Sequence, residues 1–149
     1  MVSPTEQDFL QFKQALHESQ LQWLAALDSA SNWQDKYRAI LMAGKALPKC
    51  QPEWRTDSAL VEGCESQAWM HHKLIAGEHH FILDADARII RGLMGLMLCA
   101  LESQEPSNQS ETTLADWMQR HQLENHLSPS RANGLIALAE SIQQAITNP

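Results

Sequence analysis

The chain has 149 residues, 44% of them hydrophobic, and a formal net charge of −7. That length fits one domain, residues 1–149, which buries about two thirds of its unfolded surface and needs neither disulfide nor metal to fold. An acidic balance with no Lys/Arg cluster argues against a nucleic-acid surface and fits a soluble protein that docks on a basic protein patch.

The opening residues, Met1 to Asp8, lack the basic segment and apolar core of a secretory signal. The longest apolar run, Gly92 to Leu101, is far too short to span a membrane. A cytoplasmic protein with reduced thiols and no membrane partner is therefore expected. Three cysteines without a CxxC pair indicate neither a disulfide framework nor a zinc knuckle.

Ser3-Pro4-Thr5-Glu6 predicts a helix start with Ser3 as cap, Pro4 at the first position and Glu6 closing a capping box. Phe9, Phe12, Leu16, Trp23 and Leu27 then form a stripe at helical spacing. A second helix is expected from Trp33, capped by Ser31 or Asn32, with Trp33, Lys36 and Tyr37 anchoring it on a sheet. It ends near Leu47, which Pro48 biases towards extended backbone. Residues 49–57 read as loop, and strands are expected at 58–62, 66–75 and 79–83, with Ala76-Gly77-Glu78 as a hairpin turn.

Asp84 and Asp86 are placed to cap a third helix, residues 87–101. It is apolar on most sides, and Gly92 and Gly95 permit close approach, so it should be the buried centre. A short helix over 113–121 and a last one opened by Ser128-Pro129, with Leu135, Leu138, Ile142 and Ile146 as its stripe, complete the pattern. The expected fold is α+β, a small antiparallel β-sheet packed against several helices.

The chemistry concentrates at Val61-Glu62-Gly63-Cys64-Glu65-Ser66-Gln67-Ala68-Trp69. Gly63 breaks one β-prone run and Ser66 opens the next, so Cys64 reads as the tip of a loop. Glu62 and Glu65 flank the thiol, and no Lys, Arg or His lies within six residues on either side. Nearby carboxylates disfavour a thiolate, so activation would have to come from a partner. The bland alternative makes Cys64 a small turn residue. Arg131, near the positive end of the last helix, either reaches Asp86 or Glu62 and braces the loop, or is simply solvated. Cys99 reads as core and Cys50 as incidental. His71-His72 and His79-His80 flank one hairpin, but neighbours on a strand point to opposite faces, so no metal site is expected.

Five pieces in order resemble the SufE/CsdE family of sulfur-acceptor proteins in iron–sulfur cluster assembly. They are Trp33-Gln-Asp-Lys36-Tyr37, Leu47-Pro48, the Val61–Trp69 stretch, Asp86-Ala-Arg-Ile89-Ile90-Arg-Gly92-Leu93, and Leu127-Ser-Pro-Ser130-Arg131-Ala-Asn-Gly134-Leu135. They cover the chain from Trp33 onwards, leaving residues 1–22 as an extra N-terminal helical segment. The resemblance implies a SufE/IscU-like fold and a persulfide accepted on Cys64 from a cysteine desulfurase of the SufS or CsdA type. Stimulation of that desulfurase and passage of the sulfur to a cluster-assembly scaffold are implied with it. So is an accessory role rather than a stand-alone enzyme, with no resident cofactor, since the pyridoxal phosphate belongs to the partner. A weak homodimer is left open. Two other functions compete: an IscU-like cluster scaffold, which needs several converging cysteines, and a cysteine-dependent hydrolase, which needs a histidine such as His71 within reach of Cys64.

Overall fold

The structure, a computed structural model, describes residues 3–63, 67–103 and 114–148, without the side chain of Glu124. Helix α1 spans Glu6–Ser29 and α2 spans Trp33–Ala46. The cap of α1 is Thr5 rather than Ser3. Its hydroxyl accepts from the Asp8 amide at 3.2 Å, and the Asp8 carboxylate accepts from the Thr5 amide at 2.8 Å. The capping box therefore runs from Thr5 to Asp8, and Pro4 stays outside the helix. In α2 the cap is Asn32, whose side-chain oxygen accepts from the Asp35 amide.

After two 3₁₀ turns, Pro52–Trp54 and Asp57–Ala59, come β1 (Ala68–Ile75) and β2 (Glu78–Ala85), an antiparallel pair. Ala76 and Gly77 both have positive φ, +52° and +80°, which gives the two-residue turn whose twist matches a hairpin. The strand expected over 58–62 is not formed. Asp57–Ala59 coils into a 3₁₀ turn, and only Leu60 bridges to Trp69. Asp57 and Ser58 favour local turns over a ladder, so apolar Leu60 and Val61 alone reach the sheet.

Helix α3 (Arg88–Glu102) is buried along nearly its whole length. Its cap is Ala87, with no side-chain hydrogen bond, so neither Asp84 nor Asp86 caps it. A Cβ on Gly92 would run into the Ile40 carbonyl oxygen, and one on Gly44 into that of Arg88, so α2 and α3 pack backbone to backbone. The buried face of α2 is accordingly Ala39, Ile40, Ala43 and Gly44. Trp33, Lys36 and Tyr37 do not sit on the sheet. Trp33 stacks on His126 at 4.3 Å and Lys36 Nζ donates to the His121 carbonyl. Tyr37 is exposed.

The remaining helices are α4 (Leu114–Arg120), α5 (Leu123–His126) and α6 (Pro129–Thr147). Leu114, Trp117 and Met118 of α4 are buried, as are Leu135, Leu138, Ile142 and Ile146 of α6. The α+β arrangement is thus a hairpin packed on helices, with β2 as its inner strand, buried from His80 to Ala85. Among the described residues no helix is long and apolar enough to cross a membrane.

Candidate functional site

Cys64 and Ser66 lie outside the described residues, but the stems of their loop are well defined. The Val61 amide donates to the Ala68 carbonyl at 2.8 Å, and the Asp86 amide donates to the Gln67 carbonyl at 3.0 Å. The stems that end at Gly63 and resume at Gln67 are thereby held together at the base of the hairpin. Gly63 has φ +92°, a conformation open chiefly to glycine. A Cβ there would approach that of Ala137 on α6 to 3.1 Å, so the first stem lies against the last helix. Glu62 and Gly63 are exposed while Val61 and Ala68 are buried. The chain leaves the core after Val61 and is back in it at Ala68.

Below the loop sits a group of charges that sequence reasoning did not assemble. Asp84 faces Trp69 in the β1/β2 register and is only 1% exposed. Arg55 grips one of its oxygens through Nε at 2.7 Å and Nη2 at 2.6 Å, and Arg91 Nη1 meets the other at 2.6 Å. The Arg55 guanidinium also lies 4.7 Å from the centre of the Trp69 ring and 3.7 Å from the Asp86 carboxylate. Arg91 Nε reaches the Gly44 carbonyl at the end of α2. A buried carboxylate needs such partners, because an unpaired charge in the interior is prohibitively costly. The signal in the sequence was an aspartate inside the otherwise apolar run Phe81-Ile82-Leu83-Asp84-Ala85.

Asp86 is half exposed and faces Arg55. Among the described residues no ion pair joins Arg131 to Asp86 or Glu62; the Arg131 amide instead donates to the hydroxyl of Ser128, the cap of α6. Cys99 is fully buried in α3, and burial followed by the charge of Glu102 pushes its thiol up to about 11. Cys50 is half-buried at the edge of the core, and burial together with Asp84 raises it to about 11 as well.

The histidines are engaged locally. His71 Nε2 lies 2.7 Å from the Trp54 carbonyl, which can only accept, so that nitrogen carries the proton. His72 Nε2 and His79 Nδ1 share a hydrogen bond at 2.9 Å. The hairpin is less solvated than its polarity implies: His80 is buried. Burial, aided by neighbouring positive or imidazole groups, pushes His72, His79 and His80 below their ordinary range. Among the described residues no group of three His, Cys, Asp or Glu side chains is placed to hold a metal.

These features define a class: a small α+β domain in which two stems, with a cysteine between them by sequence, meet at the foot of a hairpin beside a buried arginine–aspartate clasp. The family model for SufE, described as an Fe-S metabolism associated domain, matches residues 22–146. The chain is also 37% identical over 116 residues to the sulfur acceptor protein CsdE of Escherichia coli (strain K12), across 75% of this chain and 77% of that protein. The chain belongs to the SufE family.

Proposed function

We propose that this protein is a sulfur acceptor that works with a cysteine desulfurase and carries sulfur on Cys64 towards iron–sulfur cluster assembly. In the transfer step the Cys64 thiolate attacks the outer sulfur of the partner's Cys–S–SH. A new S–S bond forms on Cys64, the partner's S–S bond breaks, and the partner's cysteine leaves as a thiolate. One S–S bond replaces another, so no oxidant or reductant is consumed. The proton given up by Cys64 passes to a base in the partner's site, because Glu62 and Glu65 offer the thiol no positive neighbour. Removing the persulfide regenerates the desulfurase and so stimulates it. The pyridoxal phosphate that frees the sulfur from cysteine belongs to the desulfurase, and a cluster-assembly scaffold receives the sulfur afterwards.

The observation that carries this reading is the Val61–Ala68 hydrogen bond, which joins the two stems flanking Cys64 next to exposed Gly63. It brings the chain on either side of Cys64 together beside an exposed Gly63, which supports a thiol carried where a partner's sulfur can reach it. Hydrolysis would demand a base and an oxyanion hole as well. Family membership and the likeness to CsdE point the same way.

The test incubates the protein with a cysteine desulfurase and cysteine and then weighs it intact. The expected gain is one sulfur atom, lost in Cys64→Ser and kept in Cys50→Ser. A Cys64→Ser variant that still gains sulfur would overturn the reading.

A further inference from the structure

We propose that Arg55 is a positioning residue for sulfur transfer: its two-pronged grip on Asp84 and its stacking on Trp69 hold together the two chain segments that enter and leave the Gly63–Cys64 loop. The inference deepens the role proposed for Cys64 and rests on it.

Arg55 precedes the loop and Trp69 follows it, on β1. Among the described residues the entering segment is tied to the hairpin by the Leu60–Trp69 bridge, by the Val61–Ala68 hydrogen bond, by the Trp54 carbonyl against His71 Nε2 at 2.7 Å, and by Arg55, the one of these four that reaches Asp84. The geometry uses what distinguishes arginine from lysine. A planar fork presents Nε and Nη2 to the same carboxylate oxygen, at 2.7 and 2.6 Å, while its face lies 4.7 Å from the Trp69 ring centre. Lysine could neutralise Asp84 from this position but could neither fork nor stack. Asp84 in turn is anchored from behind by Arg91, which α3 and the Gly44 carbonyl hold in place. The clasp therefore refers the loop's first stem to the rigid α2/α3 pair rather than to the surface. Arg55 is about one-third exposed, so it lies at the border between this frame and solvent.

Displacement at sulfur needs the attacking sulfur in line with the S–S bond that breaks, and a misplacement of about 1 Å can cost on the order of a hundredfold in rate. Docking depends on the whole contacting face, whereas transfer depends on where the loop is held. Loosening Arg55 should thus lower the rate within the docked complex and leave docking itself alone.

The experiment measures sulfur uptake by the full-length chain from a cysteine-loaded desulfurase, across a range of acceptor concentrations. For Arg55→Lys the expected maximal rate is about tenfold lower with an unchanged half-saturating concentration. Its Tm should stay near that of the parent, because the charge opposite Asp84 is kept. Trp69→Leu, which removes the stacking face but keeps an apolar side chain, should lower the maximal rate in the same way, by about threefold. It decides the matter if Arg55→Lys folds poorly. Uptake at the parental rate in folded Arg55→Lys, or a loss seen only in the half-saturating concentration, overturns the inference. A parental chain that gains no sulfur at all refutes the proposed function instead.

Discussion

The Cys50 thiol sits half-buried beside Asp84, and burial with that carboxylate raises it to about 11. It is protonated at neutral pH and is a poor nucleophile, which is why the Cys50→Ser variant is expected to accept sulfur normally. Asp84 is the residue on which the neighbourhood depends. Replacing it with alanine leaves Arg55 and Arg91 side by side above a cavity, with no carboxylate between them. The expected cost is about 3 kcal/mol, the range measured when one partner of a buried pair is removed, and urea unfolding followed by tryptophan fluorescence would report it. A loss below about 1 kcal/mol would mean that the clasp behaves as an exposed ion pair. Local signals made the Gly63 turn legible, since a glycine between two β-prone runs is written in adjacent residues and Gly63 has positive φ. Asp84 was not legible in the same way. It looks like a helix cap in sequence, and its partners Arg55 and Arg91 lie 29 positions upstream and 7 downstream, so only the folded chain brings the three together.

Elements show the same division. The stripes of α1, α3 and α6 were readable because burial repeats with the helical period, and Phe9, Phe12, Leu93, Leu138 and Ile142 are all buried. The run 58–62 failed as a strand because a β-prone stretch needs a partner edge, and beyond Leu60 and Val61 it finds none among the described residues. Where α3 ends, the sequence hides a further property. The Glu102 side chain is 2% exposed and pairs with His17 Nε2 at 3.6 Å, and among the described residues neither of its oxygens has a hydrogen-bond partner. Burial outweighs nearby Lys13 and, with Glu78, pushes the carboxyl up to about 8. His17 is lowered by burial and by Lys13, so at neutral pH both partners are uncharged. A carboxyl with a raised folded-state pKa keeps its proton in the folded protein after the unfolded chain has lost it. Its contribution to stability is therefore full below about pH 4.5 and is lost as pH rises through about 8. His17 works in the opposite sense, but only up to its ordinary value of 6.5. Between pH 7 and 8 Glu102 is thus isolated, and stability should fall by up to about 1.4 kcal/mol per pH unit. Glu102→Gln should flatten that slope in denaturant titrations. An equally steep slope in the variant would assign the loss to another group.

At the scale of the molecule, the family match begins at residue 22, whereas the core begins earlier. Helix α1 runs unbroken from Glu6 to Ser29, so no structural boundary falls at residue 22. Phe9, Phe12 and Leu16 are almost wholly buried against the rest of the fold. Gln20 donates to the Ala43 carbonyl of α2, Lys13 donates to the His79 carbonyl of β2, and His17 covers Glu102. In sequence this segment reads as an addition to a domain that starts near Trp33, because a motif records what recurs at a site and not what fills the space beneath it. Burying three such side chains contributes roughly 5–8 kcal/mol, which is comparable to the about 5–15 kcal/mol that holds a whole domain folded. A chain starting at Gln22 would lose that contribution and leave Gly95, Gln20's neighbour on α3, beside an open groove. It should therefore show no cooperative thermal transition by near-UV circular dichroism, while the full chain melts sharply. A truncated chain that melts cooperatively within a few degrees of the full one would show that α2, α3 and the hairpin suffice, and that the first turns of α1 only cover a core already complete.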